Sequence, residues 1–383
     1  MSKMTSRERI LAAICRKDVD YVPCAPSWFP LTPQQRVDRR WQFPWGPSKR
    51  EEVEYSVEQL GVDHVLCAWN TLNKFFPNPK VSSRVWAEGD KIHKVWITPS
   101  GQMHAAIKYD EHWPHGFDIP FFDDFISHFV EPWLKTEADV QCLRHVLLSE
   151  PSKDQLAKLR FEVAEQKALA DRLGLATYTA IGHGLTGAMW FFLAEPLCLK
   201  MMDEPELIDA YLALEHKFNM RNMELAIDLG IDIIRRNGYY ETTDFYSPQM
   251  LEKFLAKYLR EEIKMAHQAE RPIIYRLHTG VTRMLDWISS LDFDGIVDLN
   301  MSFADVDLVK INEKLGSKMS FWTGPCQTHH MWSDDTDVVR RAVRQVFDVF
   351  GKKGLIIKAC PSVHSTQPWK NTLSMIDEWK KLR

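Results

Sequence analysis

RPIIYRLHTGVTRMLDWISSLDFDGIVDLN, residues 271–300, is the stretch that decides the fold. It opens on a short β-rich apolar run (271–279), passes through helical spacing (282–290) and closes on a second apolar run (294–300). A helix between two strands predicts parallel pairing rather than a hairpin. Outward from this unit the pattern repeats. YVPCAPSW (21–28), VDHVLCAW (62–69), LATYTAIG (175–182), IDIIRRN (231–237), KMSFWTG (318–324) and GLIIKAC (354–360) bring the candidate strands to eight. Helix-type segments at 152–173, 187–202, 205–229, 248–269, 305–315 and 334–350 separate most of the strands, and 368–382 closes the chain. Eight strands alternating with helices predict an α/β protein, a closed (β/α)8 TIM barrel, with residues 1–383 as one domain.

Two features depart from the repeat. An N-terminal helix is expected where Thr5 or Ser6 can cap, Glu8 stands near the third helical position, and Ile10, Leu11 and Ile14 form a stripe. Residues 81–111 alternate polar and apolar side chains between turn signals at 88–90 and 99–101, a β-meander inserted after the second strand. The insertion continues to about residue 150 as an aromatic-rich segment, read as a lid or pocket wall.

Composition excludes several classes. With 45% hydrophobic and 26% charged residues in 383, the chain is neither disordered nor fibrous. Apolar runs such as Ala188–Ala194 fall short of the ~20 residues a membrane span needs. The N-terminus shows no small-residue cleavage site, so secretion is not expected. Lys and Arg number 48 against 52 Asp and Glu, a net −4 without single-sign blocks, so nucleic acid is not an expected partner. Seven scattered cysteines without a CxxC argue against a disulfide framework and for a cytoplasmic protein; Cys15 and Cys142 read as buried small apolar groups. Fourteen Trp and twenty Phe either enlarge the core or wall a pocket for a flat ligand.

A barrel of this kind carries its site at the C-terminal strand ends. Those ends supply Trp28, Asn70, His183, Asn237 with Glu241, His278, Asp298 with Asn300, Cys326 with His329 and His330, and Cys360 with His364. His278 and Cys360 at two such ends suggest a zinc site, which wants three or four Cys, His or carboxylate ligands. Gly182, Gly184 and Gly187 spell GxGxxG, but no second strand delivers the acidic partner a dinucleotide needs. These glycines read instead as letting a loop pass close to the pocket.

SRERILAAICRKDVDYVPCAP (6–26), EPWLKTEADVQCL (131–143), the helix pair MMDEPELIDAYLALEHKFNMRNMELAIDLGIDII (201–234) and SPQMLEKFLAKYLREEIKMA (247–266) resemble, in this order, segments of the uroporphyrinogen decarboxylase superfamily. The resemblance implies the barrel. It also separates two branches. The decarboxylases' paired-arginine loop does not match PSWFPLTPQQRVDRRW (26–41), although Arg36, Arg39 and Arg40 are present. The zinc methyltransferases' His-x-Cys and lone late Cys read here as His278-Thr279-Gly280 and Cys360.

What the resemblance implies is therefore one zinc per chain on His278 and Cys360, with Glu241 or Asp298 as a carboxylate ligand. Cys326, His329, His330 and His364 are substitutes for the missing thiolate. A thiolate-poor zinc is the stronger Lewis acid for a departing phenolate, which suits removal of the methyl group of a methoxylated aromatic. His278, Glu241 and Asp298 are then the catalytic candidates, and His183, Asn237, Trp28 and Trp69 the substrate contacts. The methyl group would pass to a corrinoid on a separate carrier protein, since the chain lacks Asp-x-His-x-x-Gly. A homodimer is a candidate assembly. The alternatives are a metal-free decarboxylase and a non-catalytic tetrapyrrole- or corrinoid-binding protein.

Overall fold

The computed structural model describes residues 3–29, 43–46, 48–71, 75–122 and 128–383. Arg36, Arg39 and Arg40 lie outside them. The strands are β1 (Trp28–Phe29), β2 (Val65–Asn70), β3 (Ser82–Glu88), β4 (Lys91–Thr98), β5 (Gly101–Lys108), β6 (Phe129–Glu131), β7 (Ala176–Ile181), β8 (Ile233–Asn237), β9 (Ile273–Arg276), β10 (Gly295–Asn300), β11 (Ser320–Gly324), β12 (Leu355–Ile357) and β13 (Val363–His364). Seven of them form one parallel sheet in the order β12-β11-β10-β9-β8-β7-β2, with helices between consecutive members. The expected meander is β3–β5, extended by β6 into a four-stranded antiparallel sheet.

The eighth expected strand is present as an irregular segment rather than as a regular strand. Residues 21–27 do not form a ladder: Cys24 makes one parallel bridge to Ile357, Ala25 N donates to Ile357 O at 2.8 Å, and Asp63 N donates to Cys24 O at 2.7 Å. The segment thus lies between β12 and the approach to β2 without closing the sheet as a regular strand. Pro23 and Pro26 explain this, because each lacks the N–H a ladder requires and fixes its own φ. Pairing resumes one step on, where β1 runs parallel to β13. A curled seven-stranded sheet is what the chain builds.

The helix Ser6–Ile14 starts as expected, with the Thr5 hydroxyl accepting from Glu8 N and Glu8 reaching back to Thr5 N. Its Ile10, Ala13 and Ile14 pack on Ala25, Ala176, Ile233, Ile274, Val297, Trp322 and Ile356, one residue from each successive wall element. The helix therefore plugs the N-terminal end of the curled sheet. Arg9 anchors it from a buried position, bonded to Asp20 at 2.6 Å and to Asp63. Cys142 is buried as expected, whereas Cys15 is exposed because it falls past the buried face of this helix.

Among the described residues no single helix is long and apolar enough to cross a membrane. The apolar segment 184–192 is buried throughout and meets the next helix at 107°.

Candidate active site

Strand periodicity orders the interior. Inward positions step by two along β8, β9 and β12 and their immediate extensions: Ile233, Arg235, Asn237; Ile274, Arg276, His278; Ile356, Lys358, Cys360. Each reads aliphatic at the plugged end, cationic in the middle and polar or thiol at the C-terminal end. The site grows from that third layer.

A cavity of ≈ 240 Å³ opens there, lined by Phe29, His183, Thr186, Trp190, Asn237, Tyr239, Tyr240, Arg276, Gln327, Pro361, Ser362 and His364. Two lining side chains have buried polar atoms with no partner: both ring nitrogens of His183, and the amide oxygen and nitrogen of Asn237. A buried polar group without a partner costs about 1–3 kcal/mol, so such groups at a cavity wall mark a place prepared for a ligand. His183 is wedged between Phe122 and Trp190, at ring distances of 4.9 and 4.8 Å. Burial, reinforced by the Arg236, Arg276 and Arg235 charges, holds its imidazole far below the usual pKa and hence neutral. Flat walls complete the space, His364 stacking on Phe29 at 4.7 Å.

His278 lies just outside this lining, stacked on Tyr239 at 4.6 Å. Its Nδ1 faces the Asp298 carbonyl at 3.1 Å, which assigns the proton to Nδ1, and Nε2 accepts from Asn300 Nδ2 at 3.3 Å. Burial lowers its pKa, so this imidazole is neutral too. The same Asn300 amide reaches the Cys360 carbonyl at 3.5 Å. The two predicted anchors are therefore near neighbours, joined through an asparagine.

The carboxylates expected beside them are committed elsewhere. Asp298 is a residue without a counterpart in the β10–β11 register, a bulge with φ +76° that turns its side chain toward the cationic layer. Both oxygens are taken, Oδ1 by Lys358 Nζ and Oδ2 by Arg276 Nε at 2.5 Å. These cations hold its carboxyl well below the ordinary range, against the effect of burial. Glu241 accepts from Leu185 N at 2.9 Å and from the Tyr275 hydroxyl, and faces Arg236 at 3.4 Å. It caps the helix Gly184–Phe192. Gly184, at φ +42°, is required because a β-carbon there would overlap Glu241 Oε1. The glycine loop thus passes close to a buried ion network and, through His183 and Thr186, also lines the cavity, as expected.

The residues named for zinc do not fit that ion. His278 has the orientation of a ligand, one ring nitrogen on a backbone carbonyl. Cys360 is fully buried, its thiol directed at the Trp322 and Lys358 carbonyls at 3.8 Å, and burial pushes its pKa well up, away from the thiolate that binds metal. Asp298 and Glu241 have no oxygen to spare. Gly280, standing where the resembled family has cysteine, has φ +62°, and a β-carbon there would lie 2.8 Å from Asp244 N. A thiol at 280 is excluded by the backbone. Among the described residues no three His, Cys, Asp or Glu side chains assemble as a metal site.

The remaining expectations sort by geometry. Trp28 donates to Ser56 Oγ at 2.9 Å within a cluster of Phe43, Trp45 and Trp369, and Trp69 is a buried core residue; neither lines the cavity. Trp190, Phe29, Tyr239 and Tyr240 supply its aromatic walls instead. His364 does line the cavity. His329 is exposed, and His330 Nδ1 accepts from Cys326 N at 2.9 Å. Arg235, Arg276 and Lys358 were missed from sequence, although an alternating strand with a cation at its inward centre was the available signal.

With this geometry established, the chain can be set beside known proteins. No family model matches it, and no curated protein matches it by sequence. Among solved structures, a methyltransferase from Methanosarcina mazei is similar over 99% of this chain and 99% of that one, at TM-score 0.62 and 13% identity. A B12-independent methionine synthase from Shewanella covers 94% of this chain and 96% of its own, at TM-score 0.48 and 9% identity. E. coli 3-keto-D-glucoside 4-epimerase covers 70% and 97%, at TM-score 0.37 and 13%. The chain shares the fold of the first: an α/β architecture on a curled parallel sheet, here with a cavity at the C-terminal strand ends.

Proposed function

We propose that the protein is a methyltransferase of the O-demethylase type, taking the methyl group of a methoxylated aromatic held in the cavity. Support comes from the sequence resemblance, from the fold shared with a protein described as a methyltransferase, and from the aromatic walls. The observation that carries the reading is the pair of buried, unpartnered side chains, His183 and Asn237, facing a flat-walled space. When the ether C–O bond breaks, its electron pair stays on oxygen, and a phenolate of conjugate-acid pKa ~10 departs. The Asn237 amide has two N–H groups to offer that oxygen, and neutral His183 one. Donors placed on developing oxyanion charge are each worth about 10²–10³ in rate. A corrinoid on a separate carrier supplies the nucleophile. Exposed Phe245, Phe303 and Trp332, in loops on the same side of the sheet, offer that carrier an apolar rim.

The test is incubation with a reduced corrinoid protein and a panel of methoxybenzenes and methoxybenzoates. The expected result is cobalt methylation in the visible spectrum with release of the matching phenol, slowed about 10²-fold by Asn237→Ala. No methylation with any panel member contradicts the reading. A second reading, metal-free decarboxylation, is favoured by the cations beneath the cavity. It predicts CO2 release from an aromatic carboxylate without any methyl acceptor.

A further inference from the structure

We infer that a second, smaller cavity inside the curled sheet is a binding site for one monatomic anion, chloride, held by Arg235, Trp322 and Lys358. This space of ≈ 20 Å³ lies beneath the active-site cavity, where the aliphatic layer at the plugged end meets the cationic layer. The site is additional to the one proposed for a methoxylated aromatic and does not depend on that reading.

The walls of this space are rich in donors and short of acceptors. Trp322 lines it at 6% exposure, and its buried Nε1–H has no partner. Arg235 donates Nη1 to Tyr178 Oη at 3.2 Å and lies over that ring at 4.5 Å, which leaves its buried Nε–H without a partner. Lys358, 2% exposed, has three ammonium protons and two acceptors, Ser27 Oγ at 3.2 Å and the Asp298 carboxylate. Three N–H groups on one small wall therefore lack an acceptor. The side-chain oxygens on the same wall are already in use, Ser27 Oγ by Lys358 and Tyr178 Oη by Arg235. Asp298 is not part of the wall, and the rest of the lining is alanine, proline, valine and isoleucine.

Donors buried without acceptors are destabilising, and three around one space call for an occupant that accepts. Water answers poorly, because it brings two protons of its own that need acceptors these side chains do not spare. A halide accepts from every side and donates nothing. Two of the three donors are cationic, which offsets the cost of taking an anion out of water. Size decides among anions. The space exceeds the about 10–15 Å³ that one water-sized occupant needs, and it has no room for a sulfate, a phosphate or a carboxylate.

The test uses the full chain. Crystals grown with sodium bromide in place of chloride are expected to show one anomalous scatterer inside the sheet, within hydrogen-bonding distance of Arg235 Nε, Trp322 Nε1 and Lys358 Nζ. In solution, the melting temperature is expected to rise by a few degrees in sodium chloride or bromide over sodium gluconate at equal ionic strength, since a ligand of the folded chain alone stabilises it. Trp322→Phe keeps an aromatic ring and removes one donor, so about tenfold more chloride is expected to be needed for the same shift. If that variant does not fold, the bromide map of the parent protein decides by itself. Water or no density in the cavity, or bromide on the outer surface alone, overturns the inference. So do equal melting temperatures in chloride and gluconate, or a shift undiminished in Trp322→Phe. Neither readout involves methyl transfer, so the proposed function stands or falls separately.

Discussion

Asn237 and His183 sit where a folded chain gains nothing from them. Each is buried, each carries unpartnered polar atoms, and an apolar side chain of similar size would suit the surroundings of the empty cavity better. Asn237→Leu is therefore expected to leave the melting temperature unchanged or raise it by a few degrees, while affinity for 4-methoxybenzoate falls at least tenfold. Thermal denaturation with titration checks both, and loss of stability with affinity intact contradicts the assignment. These two residues were legible because they end strands. His278 and Cys360 were legible in place and misread in chemistry: no spacing shows that a thiol will face two carbonyls, or that the φ of Gly280 and the approach of Asp244 shut out a side chain.

Elements set what those residues can do. The β10 bulge turns Asp298 inward and makes it a counter-ion, and a linear reading has no sign of such a bulge beyond an aspartate within an apolar run. Prolines 23 and 26 did announce that the first strand would not pair regularly, but apolar content outweighed them in the strand count. The helix Gly184–Phe192 depends on Glu241 at its N-terminus, and that dependence has a pH signature. Burial pushes the Glu241 carboxyl up to about 7 from the usual 4.5, opposed by Arg236 and the Tyr275 hydroxyl. The folded state then keeps a proton that the unfolded chain releases, so stability declines as pH rises from about 4.5 to about 7 and levels off above. The contribution is on the order of 3 kcal/mol. Glu241→Gln is expected to remove that decline, measured by chemical denaturation at pH 5, 6, 7 and 8. A slope identical to the parent's contradicts it.

At the scale of the whole molecule, parallel strands send all their C-terminal ends to one side while the N-terminal helix seals the other, so one mouth collects the polar third layer. The alternation of strands and helices made this much readable from sequence, as did the meander between β2 and β7. Charge was not readable in the same way. A net −4 over 383 residues hides an interior layer of three cations, Arg235, Arg276 and Lys358, because surface acids dominate the sum. The most direct test is a crystal structure of the protein with 4-methoxybenzoate. The ring is expected between Phe29, Trp190 and Tyr240, with the ether oxygen within hydrogen-bonding distance of Asn237 or His183. A ligand seated anywhere else, or a cavity left without it at saturating concentration, contradicts the account.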